Sequence, residues 1–216
     1  MTADQIPREK VYVHRLFVRV FHWVNALGMT LMIMSGWRIY NASPLFDFRF
    51  PNGITLGGWL GGALQWHFAA MWLLVINLLV YVIVGFVSGH FRRRFTPVSP
   101  SSVITDMTKA LKGKLPHSAT TYNAVQKASY IGVLLAIILA IVSGSVVWKP
   151  VQLQEIGFLM GGYEGARLVH FFSMAAICAF IVLHLTLVLL VPSTLIPMII
   201  GWVRKTKLEQ EASHEH

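Results

Sequence analysis

The sequence predicts an all-α membrane protein, a bundle of four transmembrane helices with both termini in the cytoplasm. Three observations carry this prediction. Of the 216 residues, 55% are hydrophobic, and only 12% are charged, whereas a soluble domain is about half apolar and a quarter charged. Four apolar stretches also reach the ~20 residues that a helix needs to cross a bilayer. These stretches are residues 18–40, 63–88, 128–148 and 168–191.

The distribution of charge predicts the orientation. The chain has 18 lysines and arginines against nine acidic residues, a net charge of +9. With four spans, the N-terminus, the middle loop and the C-terminus share one side, and 14 of the 18 basic residues fall there. By the positive-inside rule this side is cytoplasmic. The distribution of the basic residues therefore explains the basic composition by the orientation of a protein in the lipid bilayer, and not by nucleic-acid binding.

The predicted elements follow from this frame. Residues 1–15 are polar and read as a cytoplasmic lead-in, and residues 16–200 form one membrane domain. No small-residue cleavage site follows the first span, so we expect this span to be retained. In the inner loop, apolar residues at helical spacing predict an amphipathic helix over residues 102–112. Residues 201–216 form a charged cytoplasmic tail.

The two outer loops and the single cysteine carry little chemistry. Residues 41–62 end in a glycine-rich run without the GK[ST] of a phosphate loop, which indicates irregular backbone at the membrane surface. Residues 151–165 leave room for a short surface helix before Gly161. One cysteine, Cys178, excludes an intrachain disulfide, a CxxCH haem attachment and a cysteine-bound iron–sulfur cluster. We interpret it as a packing residue.

Four histidines lie inside the predicted spans, where an ionisable side chain is costly and indicates function. His170 and His184 share the fourth span, 14 residues or ~21 Å apart and on nearly one helix face. Because consecutive spans run in opposite directions, the depths of the histidines can be compared. His22 lies near the inner end, like His184, and His67 lies near the outer end, like His170. We therefore predict two pairs, His22 with His184 and His67 with His170.

Two imidazoles on opposite faces of a flat macrocycle suit a b-type haem whose iron has no open position, which is an electron-carrying arrangement. A zinc site would need further ligands nearby, and the spans contain no Asp or Glu. The four histidines are thus predicted to be the axial iron ligands of two haems. For any one of them, the alternative is a hydrogen-bonded packing residue.

Three further side chains lie close to these levels. Arg19 and Arg167 each lie three residues on the water side of a histidine, where a haem propionate needs a cation. Snorkelling of the arginines to the interface is an equal alternative. His90 falls at the inner surface, outside the haem level, as an interface histidine or a proton relay.

Several segments resemble the prokaryotic di-haem cytochrome b family, which includes the gamma subunit of respiratory formate dehydrogenase and the b-type cytochromes of nickel–iron hydrogenase and thiosulfate reductase. The resemblance covers roughly residues 12–200. It rests on the order of RVFHW, YNAVQK and GSVVWKP and on the spacing of His170 and His184. It implies the same histidine pairs as ligands of two b haems. It also implies a quinone pocket beside the cytoplasmic haem with Asn123, Gln126 and His184, although capping or loop contacts are the alternative for the two amides.

The function predicted is that of a membrane anchor and electron-transfer subunit. It passes electrons through two b-type haems between the membrane quinone pool and a periplasmic redox partner of molybdenum, hydrogenase or iron–sulfur type. No catalytic constellation for substrate chemistry is evident in the sequence. Two alternatives remain: a stand-alone, quinone-coupled superoxide oxidase, and a membrane transport or structural protein without haem.

Overall fold

The structure is a computed structural model that describes residues 9–87 and 124–205. Six helices, two strands and two short 3-10 turns make up this part of the chain. In chain order they are β1 (Glu9–Tyr12), α1 (Leu16–Ala42), a 3-10 turn (Asn52–Ile54), α2 (Leu60–Val87), α3 (Ala124–Trp148), α4 (Gln154–Leu159), α5 (Gly162–Leu190), a 3-10 turn (Pro192–Thr194), α6 (Leu195–Ile200) and β2 (Trp202–Lys205).

Within the described residues, four helices are long and apolar enough to cross a membrane: α1, α2, α3 and α5. The predicted all-α membrane fold with four span-length helices is therefore confirmed, while the location of the termini stays a prediction. Helix α5 begins six residues before the predicted start at residue 168. Its first turn contains Glu164, which favours a helix N-terminus and pairs with Arg167 one turn later. The predicted inner helix over residues 102–112 lies outside the described part of the chain.

Many large apolar side chains on these helices are exposed, including Leu27, Ile76 and Leu189. A bilayer, and not water, is the solvent that such surfaces require. The most buried positions belong to small residues, among them Ala63 and Ala166. Small buried residues are typical of membrane helices whose backbones approach closely.

The described residues fall into two compact units, which we describe separately: residues 1–92 with 187–216, and residues 93–186. In the first, α1 and α2 pack antiparallel. Gly28 lies against Leu74, because a Cβ at this glycine would be 2.7 Å from Leu74 Cδ2. Toward the start of α1, the buried Asn77 donates a hydrogen bond of 3.2 Å to the carbonyl oxygen of Phe21. A polar side chain that bonds across two helices stabilises their packing in lipid.

The loop between α1 and α2 has little regular structure but is well connected. Asn41 donates to the Phe50 carbonyl and accepts from the Phe50 N–H, both at 2.8 Å. The rings of Trp37 and Phe50 stack with centroids 4.8 Å apart. Gly57 adopts a φ of +106°, and a Cβ there would collide with the backbone of Ala63. The glycine-rich run predicted as irregular backbone thus makes a close approach at the start of α2.

The segments flanking the membrane domain pair with each other, which the sequence did not reveal. Strands β1 and β2 form an antiparallel ladder in which Tyr12 faces Trp202. Arg19 Nη1 donates to the carbonyl of Ile199 at 2.7 Å, so that the start of α1 is joined to α6. Gly201 ends α6 with a φ of +92°. The lead-in and tail, predicted as polar extensions, are therefore one local structure over their described residues.

In the second unit, α3 leads through the short helix α4 into α5. The glycine at position 157 lets α4 lie on α3, because a Cβ there would be 3.2 Å from Val146 Cγ1. Gly161 and Gly162 then take positive φ values of 86° and 81°, which turn the chain into α5. Helix α4 lies within residues 151–165, the loop in which the sequence allowed a short surface helix.

Candidate functional site

His22 and His67 lie at opposite ends of the α1–α2 pair, and both are half-buried. His22 is in the second turn of α1 and makes an edge-to-face contact with Trp23 at 5.4 Å. His67, near the start of α2, contacts the far end of α1 at Ser35 and Gly36. Ser35 is 13 residues after His22, or ~20 Å along the helix. The two histidines of this unit are therefore on two separate levels.

The contact between His67 and α1 is close and polar. Ser35 Oγ lies 3.1 Å from His67 Nδ1, and the serine is completely buried. The ring also rests on Gly36, where a Cβ would be 3.4 Å from Cε1. A methyl group at position 36 would just reach van der Waals contact with the imidazole.

His170 is held in the same manner by α3. Ser143 Oγ lies 3.3 Å from His170 Nδ1, and the carbonyl oxygen of Ala140 lies 2.9 Å from the same nitrogen. Ser143 is also completely buried. A Cβ on Gly144 would be 2.9 Å from His170 Cε1. A Ser-Gly pair late in α1 and another late in α3 thus each receive a histidine ring from a later helix.

Sequence reasoning did not single out the two serines. The signal was present, because the dipeptide Ser-Gly occurs late in both the first and the third span. The role of each Ser-Gly pair depends on which histidine packs against it, and that contact forms only in the tertiary structure.

His184 lies 14 residues after His170 on the continuous helix α5. Its ring stacks on Phe180, one turn earlier, with centroids 6.0 Å apart and an interplanar angle of 8°. The side chain is half-buried. The pairing of His184 with His22, and of His170 with His67, stays a prediction.

The two predicted arginines have different surroundings. Arg167 Nη1 donates to both carboxylate oxygens of Glu164, at 2.9 and 3.2 Å. Its positive charge is therefore already close to a carboxylate. Arg19 has no such carboxylate contact in the described structure, and its Nη1 bonds the Ile199 carbonyl.

Two buried N–H groups on α1 have no acceptor among the described residues: Nε of Arg19 and Nε1 of Trp37. These residues are 18 positions apart, or five full turns, and therefore lie on one face of α1. That face is ~60° from His22. Buried N–H groups without an acceptor are rare in native proteins. They fit a bound group that brings its own acceptors to this face.

The chemistry of these side chains suits a flat, carboxylate-bearing macrocycle such as haem. Among the described residues, no cluster of three or more His, Cys, Asp or Glu side chains is placed to hold a metal ion. A haem needs only axial ligands, because the macrocycle supplies the other donors. Glycine at positions 36 and 144 leaves room beside two of the candidate ligands. The histidines, the glycines and the unpaired N–H groups therefore fit haem.

Most of the predicted quinone group lies outside the described part of the chain. Asn123 and the side chain of Gln126 lie outside the described residues, as does His90. His184 is the one member of this predicted group whose surroundings are described.

Four span-length helices, three of which carry histidines, define a multi-pass membrane protein suited to haem. The chain belongs to the prokaryotic cytochrome b561 family, because the model of that family matches residues 13–201. It is therefore a membrane electron-transfer protein that binds haem b. The resemblance to b-type cytochromes inferred from the sequence motifs is confirmed.

Similar proteins come from several bacteria. A protein of Azospira oryzae named "Putative protein-methionine-sulfoxide reductase subunit YedZ1" is 49% identical over 197 residues, which are 91% of this chain and 100% of that protein. A "Probable Ni/Fe-hydrogenase B-type cytochrome subunit" of Bradyrhizobium diazoefficiens is 23% identical over 83% of this chain and 78% of that protein. A protein of the same name from Rhizobium leguminosarum is 33% identical over 42% of this chain and 36% of its own length.

Proposed function

We propose that this chain is the membrane anchor and electron-transfer subunit of a respiratory complex. It carries electrons through two b haems between membrane quinone and a redox partner on the periplasmic face. His22 and His184 ligate the inner haem, near the cytoplasmic side. His67 and His170 ligate the outer haem. Both termini are cytoplasmic in this arrangement.

The spacing of the histidines is the observation that carries the proposal. On α5, His170 and His184 are ~21 Å apart along the helix axis. In the α1–α2 pair, His67 lies at the level of Ser35, ~20 Å along α1 from His22. The two separations, both derived from the helical rise, come from different parts of the chain and agree. Each histidine of α5 thus has a counterpart at a matching spacing, as two stacked haems require.

Haem iron with two imidazole ligands supplies one-electron transfer and offers no open position for oxygen. The chain's own residues provide the rest. The apolar composition of the spans would keep water away from the haem level. On the cytoplasmic side, the amides of Asn123 and Gln126 would hydrogen-bond the quinone, with His184 adjacent. Arg19 and Arg167 are proposed to lie near haem propionates, and the existing Glu164 contact makes Arg167 the weaker of the two.

The partner is proposed from the Azospira relative, whose name describes a subunit of a protein-methionine-sulfoxide reductase. Its 49% identity over nearly the whole chain favours this class over the hydrogenase class, which has 23% identity in the full-length comparison. Electrons then run outward from quinol. Each quinol releases two electrons and two protons, and each sulfoxide consumes two of each to give a thioether and water.

The test is purification of the native complex with its co-purifying subunits, followed by a reduced-minus-oxidised spectrum. We expect b-type bands that a quinol analogue reduces and that a methionine-sulfoxide protein reoxidises through the partner. Absence of b-type bands would overturn the haem assignment. Reduction of the haems by hydrogen through the partner would replace the reductase with a hydrogenase. Rapid reduction of the isolated chain by superoxide would instead favour a stand-alone superoxide oxidase.

A further inference from the structure

Ser35 and Ser143 hold the outer pair of histidines by hydrogen bonds whose direction can be worked out. Each serine has one proton to donate. Ser35 Oγ lies 2.6 Å from the carbonyl oxygen of Leu31, and Ser143 Oγ lies 2.5 Å from that of Leu139. A carbonyl oxygen can only accept, so both hydroxyls donate to the backbone one turn earlier.

The hydroxyl oxygens therefore present lone pairs to the imidazoles. His67 Nδ1, 3.1 Å from Ser35 Oγ, must carry a proton to complete this hydrogen bond. The same holds for His170 Nδ1 at 3.3 Å from Ser143 Oγ. For His170 there is independent evidence, because the Ala140 carbonyl at 2.9 Å also accepts from Nδ1.

This direction determines the tautomer of both rings. A neutral imidazole with a proton on Nδ1 has its lone pair on Nε2. Nε2 is then the nitrogen that can ligate iron. The second nitrogen of a metal-binding histidine commonly donates to an acceptor in this way, which orients the ring and raises its basicity.

We propose that Ser35 and Ser143 are positioning residues for the haem held by His67 and His170. They orient both imidazoles with Nε2 toward the iron, and they lower the reduction potential of this haem relative to the same site without the hydroxyls. The second effect follows because a more basic axial ligand favours ferric over ferrous iron. The inference rests on the proposed function, since it requires that these histidines ligate a haem.

The test uses the purified full-length protein and the variants Ser35→Ala, Ser143→Ala and the double variant. A redox titration followed at the haem alpha band separates the two haems by potential. We expect one component to move to more positive potential and the other to stay. Loss of one hydrogen bond, with the net free energy typical of proteins, should change the ferric-to-ferrous ratio at a fixed potential about fivefold. The double variant should show the largest change, because it removes both serine acceptors. Ser143→Ala alone should have a small effect, since the Ala140 carbonyl still accepts from His170.

Two matched variants control for loss of a hydroxyl from a helix. Thr30 and Ser145 each donate to the carbonyl four residues earlier, at 2.8 Å. Thr30 is on α1 and Ser145 is on α3, so they share the helices of the two tested serines. We expect Thr30→Ala and Ser145→Ala to leave both potentials unchanged.

The outcomes separate this inference from the proposed function. If the wild-type protein contains no b haem, the proposed function fails first. If both haems are present and the double variant titrates like the wild type, the positioning role is overturned and the proposed function stands. Equal shifts of both haems, or the same shift in the control variants, also overturn it. Loss of one haem from the double variant, with both retained in the controls, supports it.

Discussion

Gly144 lies directly against the ring of His170, so that a Cβ at this position would be 2.9 Å from Cε1 and 3.1 Å from Nδ1. At the corresponding place on α1, a Cβ on Gly36 would be 3.4 Å from Cε1 of His67. Only the 3.4 Å distance at Gly36 is compatible with van der Waals contact. The two rings are therefore seated against glycine with different tolerance.

This difference predicts unequal effects of two identical substitutions. In Gly144→Ala the new methyl group displaces the His170 ring, and overpacking of this kind costs about 1–3 kcal/mol. We expect Gly144→Ala to lose haem, and Gly36→Ala to keep close to the wild-type content. The measurement is the haem-to-protein ratio of the purified variants. Equal haem content in the two variants would contradict the prediction.

The proposed pairing predicts which histidine substitutions resemble each other. His184→Ala and His22→Ala should each remove the inner haem and leave the other spectral component in place. His67→Ala and His170→Ala should both remove the outer haem. Reduced-minus-oxidised spectra and haem stoichiometry distinguish the two groups. If His184→Ala removed only the component that is lost in His67→Ala, the assignment of the pairs would be wrong.

The junction at Gly201 predicts a local loss of stability. Alanine at this position would have to adopt a φ near +92°, and its Cβ would be 2.9 Å from Arg19 Nη1. A left-handed conformation costs an L-residue roughly 1–2 kcal/mol. We expect Gly201→Ala to increase protease cleavage near the ends of the chain.

Gly132→Ala provides the control for this experiment. A Cβ there meets nothing within 4 Å, and alanine is favoured over glycine inside a helix. Its cleavage pattern should equal that of the wild type. An unchanged pattern in Gly201→Ala would show that the terminal contacts tolerate the methyl group.

The buried hydrogen bond between Asn77 and Phe21 predicts a change at one end of the α1–α2 pair. Asn77→Ala removes a donor from the Phe21 carbonyl, next to His22 in the chain. Hydrogen bonds between membrane helices contribute about 0.6–2 kcal/mol. We expect a lower thermal midpoint and a shift in the spectrum of the proposed inner haem alone. Thr186→Val, which removes a hydroxyl bonded only to its own helix in the described structure, is the control.

The sequence was sufficient to predict the elements whose cause is local. The apolar length of each span predicts a helix wherever it occurs, and the His170–His184 spacing on α5 needs only the helical period. The pair of Glu164 with Arg167 is equally local, at a spacing of three residues, and its charge pattern could have moved the predicted start of α5 from residue 168 to an earlier position.

The contacts that the sequence did not reveal join distant parts of the chain. Ser35 is an ordinary helical serine until His67 arrives from another helix, 32 residues later. The ladder of β1 and β2 joins segments about 190 residues apart. Neither four-residue strand has a distinctive alternation of its own, and a strand this short is stable only with its partner.

The ladder between Tyr12 and Trp202 has a consequence for synthesis of the protein. Strand β1 is made first, yet its partner is translated only after α5 and α6. A nascent or truncated chain that ends within α5 therefore presents an unpaired strand edge, the feature through which incomplete chains aggregate. The ladder therefore closes only after synthesis has passed Lys205, so that one short pairing reports whether all four spans have been made.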